Sequence, residues 1–198
     1  AGHLLRSEHV AELAKLPPPE RVRRALEEMG PSFIKLGQLF ATRIDLFAPD
    51  WIAEFEKLQS QVPPVAFETI RPQIEEDLQG TIESMFARFD PKPIAAASIA
   101  QVYRACLTDG NEVAVKVRRP GIRPLVEADM RLLQRLARIV ESEAPDLRRY
   151  QPRALVRQLQ ASLTRELDLA AECRHAERIA ANFSEDPRLV VPGVHWPL

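Results

Sequence analysis

Lys116 closes the short apolar run Val113-Ala114-Val115-Lys116. On a strand, such a lysine can hold its ammonium toward a phosphate. The same residue would also suit the solvent face of an edge strand, where a lysine discourages aggregation. Upstream stands Ala95-Ala96-Ala97-Ser98. A loop of small residues lets backbone N–H groups approach phosphates. Alanines restrict positive φ, so such a loop is stiffer than a glycine-rich one. On its own, the plainer reading is a small-residue strand packed under a helix. A third group is acidic: Glu166, Asp168 and Glu172. Asp168 and Glu172 are four apart and share a helix face. Glu166 and Asp168 are two apart and serve one site only if the helix is distorted or one side chain reaches around. Otherwise the three form a charged solvent face with Arg165 and Arg174. Lys35 and Gln38, three apart, share a face, and Gly37 between them thins the helix for close packing. The plainer reading is an exposed polar stripe opposite Phe33, Leu36 and Phe40.

The elements that must position these residues follow from period and punctuation. Pro17-Pro18-Pro19 precedes a helix carrying Val22, Leu26 and Met29, which Gly30 is suited to end. Ser32 is placed to cap a second helix through Phe33, Leu36 and Phe40. Asp50 is placed to cap a third, with Trp51, Phe55 and Leu58 on one face, stopped by Pro63-Pro64. A fourth pattern runs over 67–78 and ends at Gly80. Pro72 inside it should start, kink or split the helix. Thr81 caps a short segment ending near Asp90-Pro91.

From Ile94 to Arg118 the period becomes two. Ile99, Gln101, Tyr103 and Ala105 alternate with Ala100, Val102, Arg104 and Cys106. Val113, Val115 and Val117 share one face, and Ala114 and Lys116 the other. Asp109-Gly110-Asn111 joins the two runs as a hairpin and puts Lys116 on a mid-sheet strand. Arg119-Pro120-Gly121 breaks the second strand. A long helix follows, with Val126, Met130, Leu133, Ala137 and Val140 as its apolar stripe, ended by Pro145. Another long helix begins near Pro152 and runs toward Phe183, carrying the acidic group. Leu189-Val190-Val191 reads as a further strand.

Charge and composition exclude more than they select. With 27 basic and 28 acidic side chains the net charge is -1, which gives no general push toward nucleic acid or an anionic membrane. Arg118-Arg119, Arg123 and Arg148-Arg149 read as solvated surface. Two cysteines, Cys106 and Cys173, make no disulfide framework and read as buried small hydrophobes in a reducing compartment. No apolar run approaches the roughly 20 residues that span a bilayer, and no signal-peptide pattern opens the chain. Ala1-Gly2-His3 carries no weight. The sequence holds 17 prolines and 7 glycines, with no internal repeat.

Together these pieces resemble the UbiB/ADCK-like atypical kinases. Lys35-Leu36-Gly37-Gln38 matches that family's KxGQ motif, in the setting Gly30-Pro31-Ser32-Phe33-Ile34 and Leu39-Phe40-Ala41-Thr42-Arg43. The stretch from Pro93 to Val102 resembles its alanine-rich loop, Val113 to Lys116 its strand-lysine motif, and Glu166-Leu167-Asp168 its ExD motif. The likeness runs from about Arg21 to Pro192. It implies an α+β fold: a protein-kinase-like N-lobe, made of a small antiparallel sheet plus helices, with an N-terminal helical KxGQ extension. The expected division is extension 1–90 and N-lobe 91–198.

The resemblance also implies ATP binding, magnesium-dependent ATPase or unorthodox kinase activity, and support of ubiquinone biosynthesis at a membrane. Localisation would be the cytoplasmic side of a bacterial inner membrane, with this chain itself soluble. Lys116 would hold ATP phosphates with Glu172 as its helix partner. Ala95, Ala96, Ala97, Ser98 and Ala114 would line the nucleotide. Lys35, Gly37, Gln38, Glu166 and Asp168 would form a regulatory set in which the two motifs meet over the site. Partners would be ATP, ubiquinone-pathway lipid intermediates or biosynthetic proteins, and peripheral membrane, with no nucleic acid. Pro72 and Leu169 depart from the family pattern without touching these residues.

No H-R-D-like loop, metal-binding asparagine or D-F-G aspartate stands in the 198 residues, which end at Val194-His195-Trp196-Pro197-Leu198. Catalytic and metal-binding residues are therefore expected outside this chain, which alone should not hydrolyse ATP. The competing class is a non-catalytic module that binds a lipid, quinone or protein.

Overall fold

The computed structural model describes residues 13–58 and 62–196. Ala1-Gly2-His3 and Pro197-Leu198 lie outside the described residues. In chain order the elements are α1 (Pro18–Met29), α2 (Pro31–Ala41), α3 (Pro49–Phe55), α4 (Phe67–Leu78), α5 (Ile82–Met85), β1 (Phe86–Phe89), β2 (Ala95–Ala96), β3 (Ala100–Leu107), β4 (Glu112–Arg118), α6 (Ile122–Glu143), a 3-10 turn (Pro145–Tyr150), α7 (Pro152–Leu167) and α8 (Leu169–Asn182). They divide into two compact units. The first holds the residues up to Pro63, Ala96–Ser98 and Pro124–Leu159. The second holds Pro64–Ala95, Ile99–Arg123 and the chain from Gln160 on.

In the first unit, Gly30 separates α1 from α2 with φ +100°, a conformation that L side chains rarely adopt. α2 then starts at once on Pro31, whose missing N–H costs nothing at a first helical position. That shift moves Ser32 inside the helix. It does not cap; it is fully buried, and its hydroxyl has no hydrogen-bond partner among the described residues. Asp50 does not cap either, because α3 begins at Pro49 after Ala48 and leaves Asp50 in the first turn. Of the apolar residues expected on α1, Leu26 is buried while Met29 is half exposed. Phe40, Phe47, Trp51 and Phe55 form an aromatic cluster, with Phe47 edge-on to Phe55 at 5.1 Å. On α6, Val126, Met130, Leu133 and Ala137 are buried as their spacing predicts. The Arg149 guanidinium lies 4.7 Å from the centre of the Tyr150 ring.

In the second unit, α4 runs unbroken through Pro72. That proline removes one ladder bond and sits exposed. Gln79, not Gly80, takes the left-handed conformation that ends the helix, and the Gly80 N–H donates to the Glu75 carbonyl. β1 was not expected from the sequence, where only a short segment ran to Asp90. It lies before residue 90 and pairs antiparallel with β3, Phe86 opposite Leu107 and Phe89 opposite Ala105.

The hairpin forms in the expected register, with Ala105 opposite Val113, Tyr103 opposite Val115 and Gln101 opposite Val117. Gly110 has φ +92°, and the Asp109 carboxylate accepts from the Asn111 N–H. β4 pairs only with β3 among the described residues, so Lys116 stands on an edge strand rather than in mid-sheet.

The buried face of the sheet joins Tyr103, Ala105, Leu107 and Val117 to Ile70 and Ile74 of α4, Ile82 and Phe86. Gln101 is fully buried among them. Its side-chain oxygen accepts from the Val65 N–H, and its nitrogen donates to the Val65 carbonyl and to the Tyr103 hydroxyl. Burial raises the Tyr103 phenol above its ordinary pKa, partly offset by that Gln101 bond. Cys106 and Cys173 fall in a strand and a helix as expected but are half-buried.

Two further expectations fail. Leu189-Val190-Val191 forms no strand, and Val190 is 88% exposed. No described strand pairs with it, and β-branched composition alone does not make a sheet. The expected single helix from Pro152 toward Phe183 is two helices, broken at Asp168.

Candidate functional site

Alternation in β4 turns Val115 and Val117 toward the core and leaves Ala114 and Lys116 on the open face of the sheet. Lys116 Nζ donates to both carboxylate oxygens of Glu172, at 2.7 and 2.6 Å. Both side chains keep contact with water, 41% and 57% exposed. A pair this exposed contributes at most about 1 kcal/mol to stability. Its consequence is positional: it fixes an ammonium at one point above the open face.

The break between α7 and α8 makes that pair possible. Asp168 leaves the helical region at φ −96°, ψ 83°, and its carboxylate accepts from the Ala171 N–H at 2.9 Å. It therefore caps α8, a role the continuous-helix reading could not give it. Arg118, two residues beyond Lys116, reaches the last carbonyl of α7, that of Leu167. Arg174 also approaches the Asp168 carboxylate, at 3.6 Å. A cleft of about 450 Å³ is lined by Lys116, Arg118, Asp168, Cys173, Leu78 and His195, among others. Asp168→Ala should lower stability by about 1 kcal/mol, the usual cost of a lost N-cap, with Asp168→Asn close to wild type. Thermal melts of the three proteins check this, and an Asp168→Ala melt that overlays the wild type would remove the capping role.

In the first unit, α2 presents the KxGQ residues in a buried setting rather than as an exposed stripe. Lys35 and Gln38 are half-buried and Gly37 is buried. A Cβ built on Gly37 would lie 2.1 Å from Leu58 Cδ1 and 2.9 Å from Leu26 Cδ1. Gln38 Nε2 donates to the Leu58 carbonyl at 3.1 Å. Gly37 and Gln38 thus grip one residue, Leu58, by shape and by hydrogen bond. Ala96–Ser98 belong to this unit, Ala95 to the other. Ala95 and Ala97 are exposed, and Ala96 and Ser98 half-buried.

Two residues on the open face escaped the sequence reading. Val102 stands opposite Lys116, and Arg104 opposite Ala114. The alternation of the hairpin contained this information, but only once the turn at Asp109-Gly110-Asn111 had fixed the register. Ile94, 57% exposed, donates its N–H to the Val102 carbonyl and so borders the same face.

Residues 57–198 match the model of the ABC1 atypical kinase-like domain. The chain belongs to the ABC1 atypical kinase-like family. Within that family it is 44% identical over 179 residues to a "Probable protein kinase UbiB" from Aliivibrio fischeri, covering 90% of this chain and 33% of the relative. It is 45% identical over 179 residues to the protein of that name from Vibrio parahaemolyticus, with the same coverage. A protein of that name from Pseudomonas aeruginosa is 43% identical over 176 residues. The chain spans about a third of the length of these relatives. A Mycobacterium tuberculosis protein solved in complex with erythromycin superposes with a TM-score of 0.56 at 27% identity, over 98% of this chain and 48% of that one. The α+β fold is that of a kinase N-lobe with a helical extension. Among the described residues no helix is long and apolar enough to cross a membrane.

Proposed function

We propose that this chain supplies the phosphate-gripping half of an ATP site in an ABC1-type atypical kinase or ATPase. The observation that carries the reading is the Lys116–Glu172 pair. In the kinase pattern a strand lysine contacts the α- and β-phosphates and is held by a helix glutamate. Here a strand lysine is held bidentately by a helix glutamate 56 positions away in sequence. Ala114, small and exposed beside it, offers a flat surface for the base.

ATP would bring Mg2+ with it. Among the described residues no three His, Cys, Asp or Glu side chains converge on one point. The UbiB name of the relatives supports a part in ubiquinone biosynthesis. The ubiquinone reading extends to a lipid or protein partner and to work at a membrane surface. The KxGQ residues Lys35, Gly37 and Gln38 and the ExD residues Glu166 and Asp168 keep, in this reading, the regulatory role that the family resemblance implies.

A second reading, a non-catalytic binding module, draws support from α6. Its Leu125, Leu132, Leu136 and Ile139 are 45–49% exposed, an apolar row on a helix whose other face is buried. The Mycobacterium tuberculosis neighbour, solved in complex with erythromycin, also favours binding of a small organic ligand.

Titrating ATP with and without Mg2+ by calorimetry, with phosphate release followed in parallel, separates the two. The expected outcome is saturable ATP binding without turnover, since the motifs of the catalytic loop are not among these residues. Absence of saturable binding would sink the first reading. Turnover that vanished in Lys116→Ala would overturn the expected inactivity.

A further inference from the structure

The open face of the hairpin carries an ordered row of side chains. The strand register sets Lys116 against Val102, then Ala114 against Arg104, then Glu112 against Cys106. Residues two apart on a strand are about 7 Å apart, and directly opposed Cβ atoms about 5 Å. The row therefore runs from a fixed ammonium, over a small apolar floor, to a guanidinium one step further on. Arg104 is exposed, and its side chain forms no ion pair or hydrogen bond within the described residues. Its neighbour Arg88 behaves differently, being paired with Glu112. A cleft of about 620 Å³ is lined by Arg104, Ala114, Ile94, Val113, Arg88 and Glu112.

An unpaired arginine on a strand face beside an alanine and an exposed isoleucine calls for an explanation. A surface cation needs none when it meets a carboxylate, but Glu112, diagonal to it across the strands, is taken by Arg88, and Asp90, whose N–H donates to the Arg104 carbonyl, accepts on its carboxylate from the Lys92 N–H. The guanidinium is planar and weakly hydrated, and it stacks on aromatic planes better than an ammonium does. Nucleobases stack on arginine planes in the same manner.

We propose that Arg104 is a base-contacting residue of the nucleotide site, its guanidinium stacking on a purine that rests over Ala114 and Val102. The inference rests on the nucleotide reading given above and adds what that reading lacks, a charged residue that recognises the base rather than the phosphates. Phosphate grip and base grip then lie at two ends of one row, Lys116 at the first and Arg104 at the second. The isoleucine at position 94 walls the edge of the base site.

The test compares two probes, ATP and inorganic tripolyphosphate, against the unsubstituted protein, Arg104→Ala, Arg104→Lys and Lys116→Ala. Arg104→Ala should weaken ATP about 5- to 30-fold, the range of a partly desolvated cation–π contact, and leave tripolyphosphate unchanged. Arg104→Lys, which keeps the charge and loses the plane, should recover only part of the ATP affinity. Lys116→Ala should weaken both probes. An Arg104→Ala protein that binds ATP like the wild type overturns the proposal. So does an equal loss for both probes, which would make Arg104 a general attractor of anions. Failure of the nucleotide reading itself looks different: Lys116→Ala then leaves both probes unaffected, or the unsubstituted protein binds neither. Arg104 is exposed and forms no ion pair or hydrogen bond within the described residues, so its replacement should leave the melting temperature in place.

Discussion

Lys116→Ala should weaken ATP binding about 10- to 150-fold, the loss expected when a charged hydrogen-bond donor to phosphate is removed. It should leave the fold intact. Both expectations come from the same geometry. The ammonium is 41% exposed and its carboxylate partner 57%, so the pair contributes little to stability. Against a phosphate the balance differs, because the lysine is already positioned and loses little freedom on binding. Glu172→Gln should act in the same direction with a smaller loss, about 3- to 10-fold, since the amide still bonds the lysine without its charge. The measurement is ATP affinity by calorimetry alongside a thermal melt for each variant. A Lys116→Ala protein with wild-type ATP affinity removes the phosphate role. One that has lost both affinity and melting temperature shows that the lysine is structural.

Gly37→Ala should destabilise the protein by about 1–3 kcal/mol, the cost of overpacking a filled core. Helix propensity argues the other way, since alanine in a helix interior gains about 1 kcal/mol over glycine. The clash decides the sign. A methyl 2.1 Å from Leu58 Cδ1 is far inside the roughly 3.5–4.0 Å at which carbon atoms pack. Leu58 is 4% exposed and Leu26 5%, so neither can swing into solvent. Leu58 is further tied by the Gln38 bond to its carbonyl. Adding Leu58→Ala opens the space the new methyl needs, so the double variant should be more stable than the sum of the two single losses predicts. Urea unfolding of the four proteins reads this out. A Gly37→Ala protein as stable as the wild type, or simple additivity, would rule out the packing account of this glycine.

Local chemistry that names its own partner was legible in the sequence. Asp109-Gly110-Asn111 specified a turn, the turn specified the register, and the register placed Lys116 and Ala114 on one face. The long stripe from Val126 to Ala137 was legible for the same reason, being a period repeated over three turns. What failed depended on neighbours distant in sequence. β1 is four residues whose burial does not alternate, and only the far end of β3 makes them a strand. Leu189-Val190-Val191 has strand composition and no strand beside it. Ser32 and Asp50 have capping chemistry, but a proline one residue earlier took the first helical position in each case. The break at Asp168 carries no glycine or proline to announce it, and the acidic residues around it read equally well as the solvent face of an unbroken helix. The Lys116–Glu172 pair came from family resemblance rather than from the residues alone. Nothing in helical or strand periodicity brings positions 116 and 172 together.

The capped break at Asp168 has a kinetic corollary. α7 contributes Leu159, Leu163 and Leu167 to the interior, each at most 4% exposed, while α8 contributes no buried residue. Two helices joined by a cap rather than by a continuous ladder can open independently, and the one with no fully buried residue opens at lower free energy. Backbone amides of α8 should therefore exchange with solvent deuterium well before those of α7. Because Glu172 sits in the first turn of α8, anything that engages Lys116 is felt first by the most easily opened helix in the unit. The Asp168 cap thus sets a boundary of cooperativity, and the Lys116 ion pair lies on its fast-exchanging side.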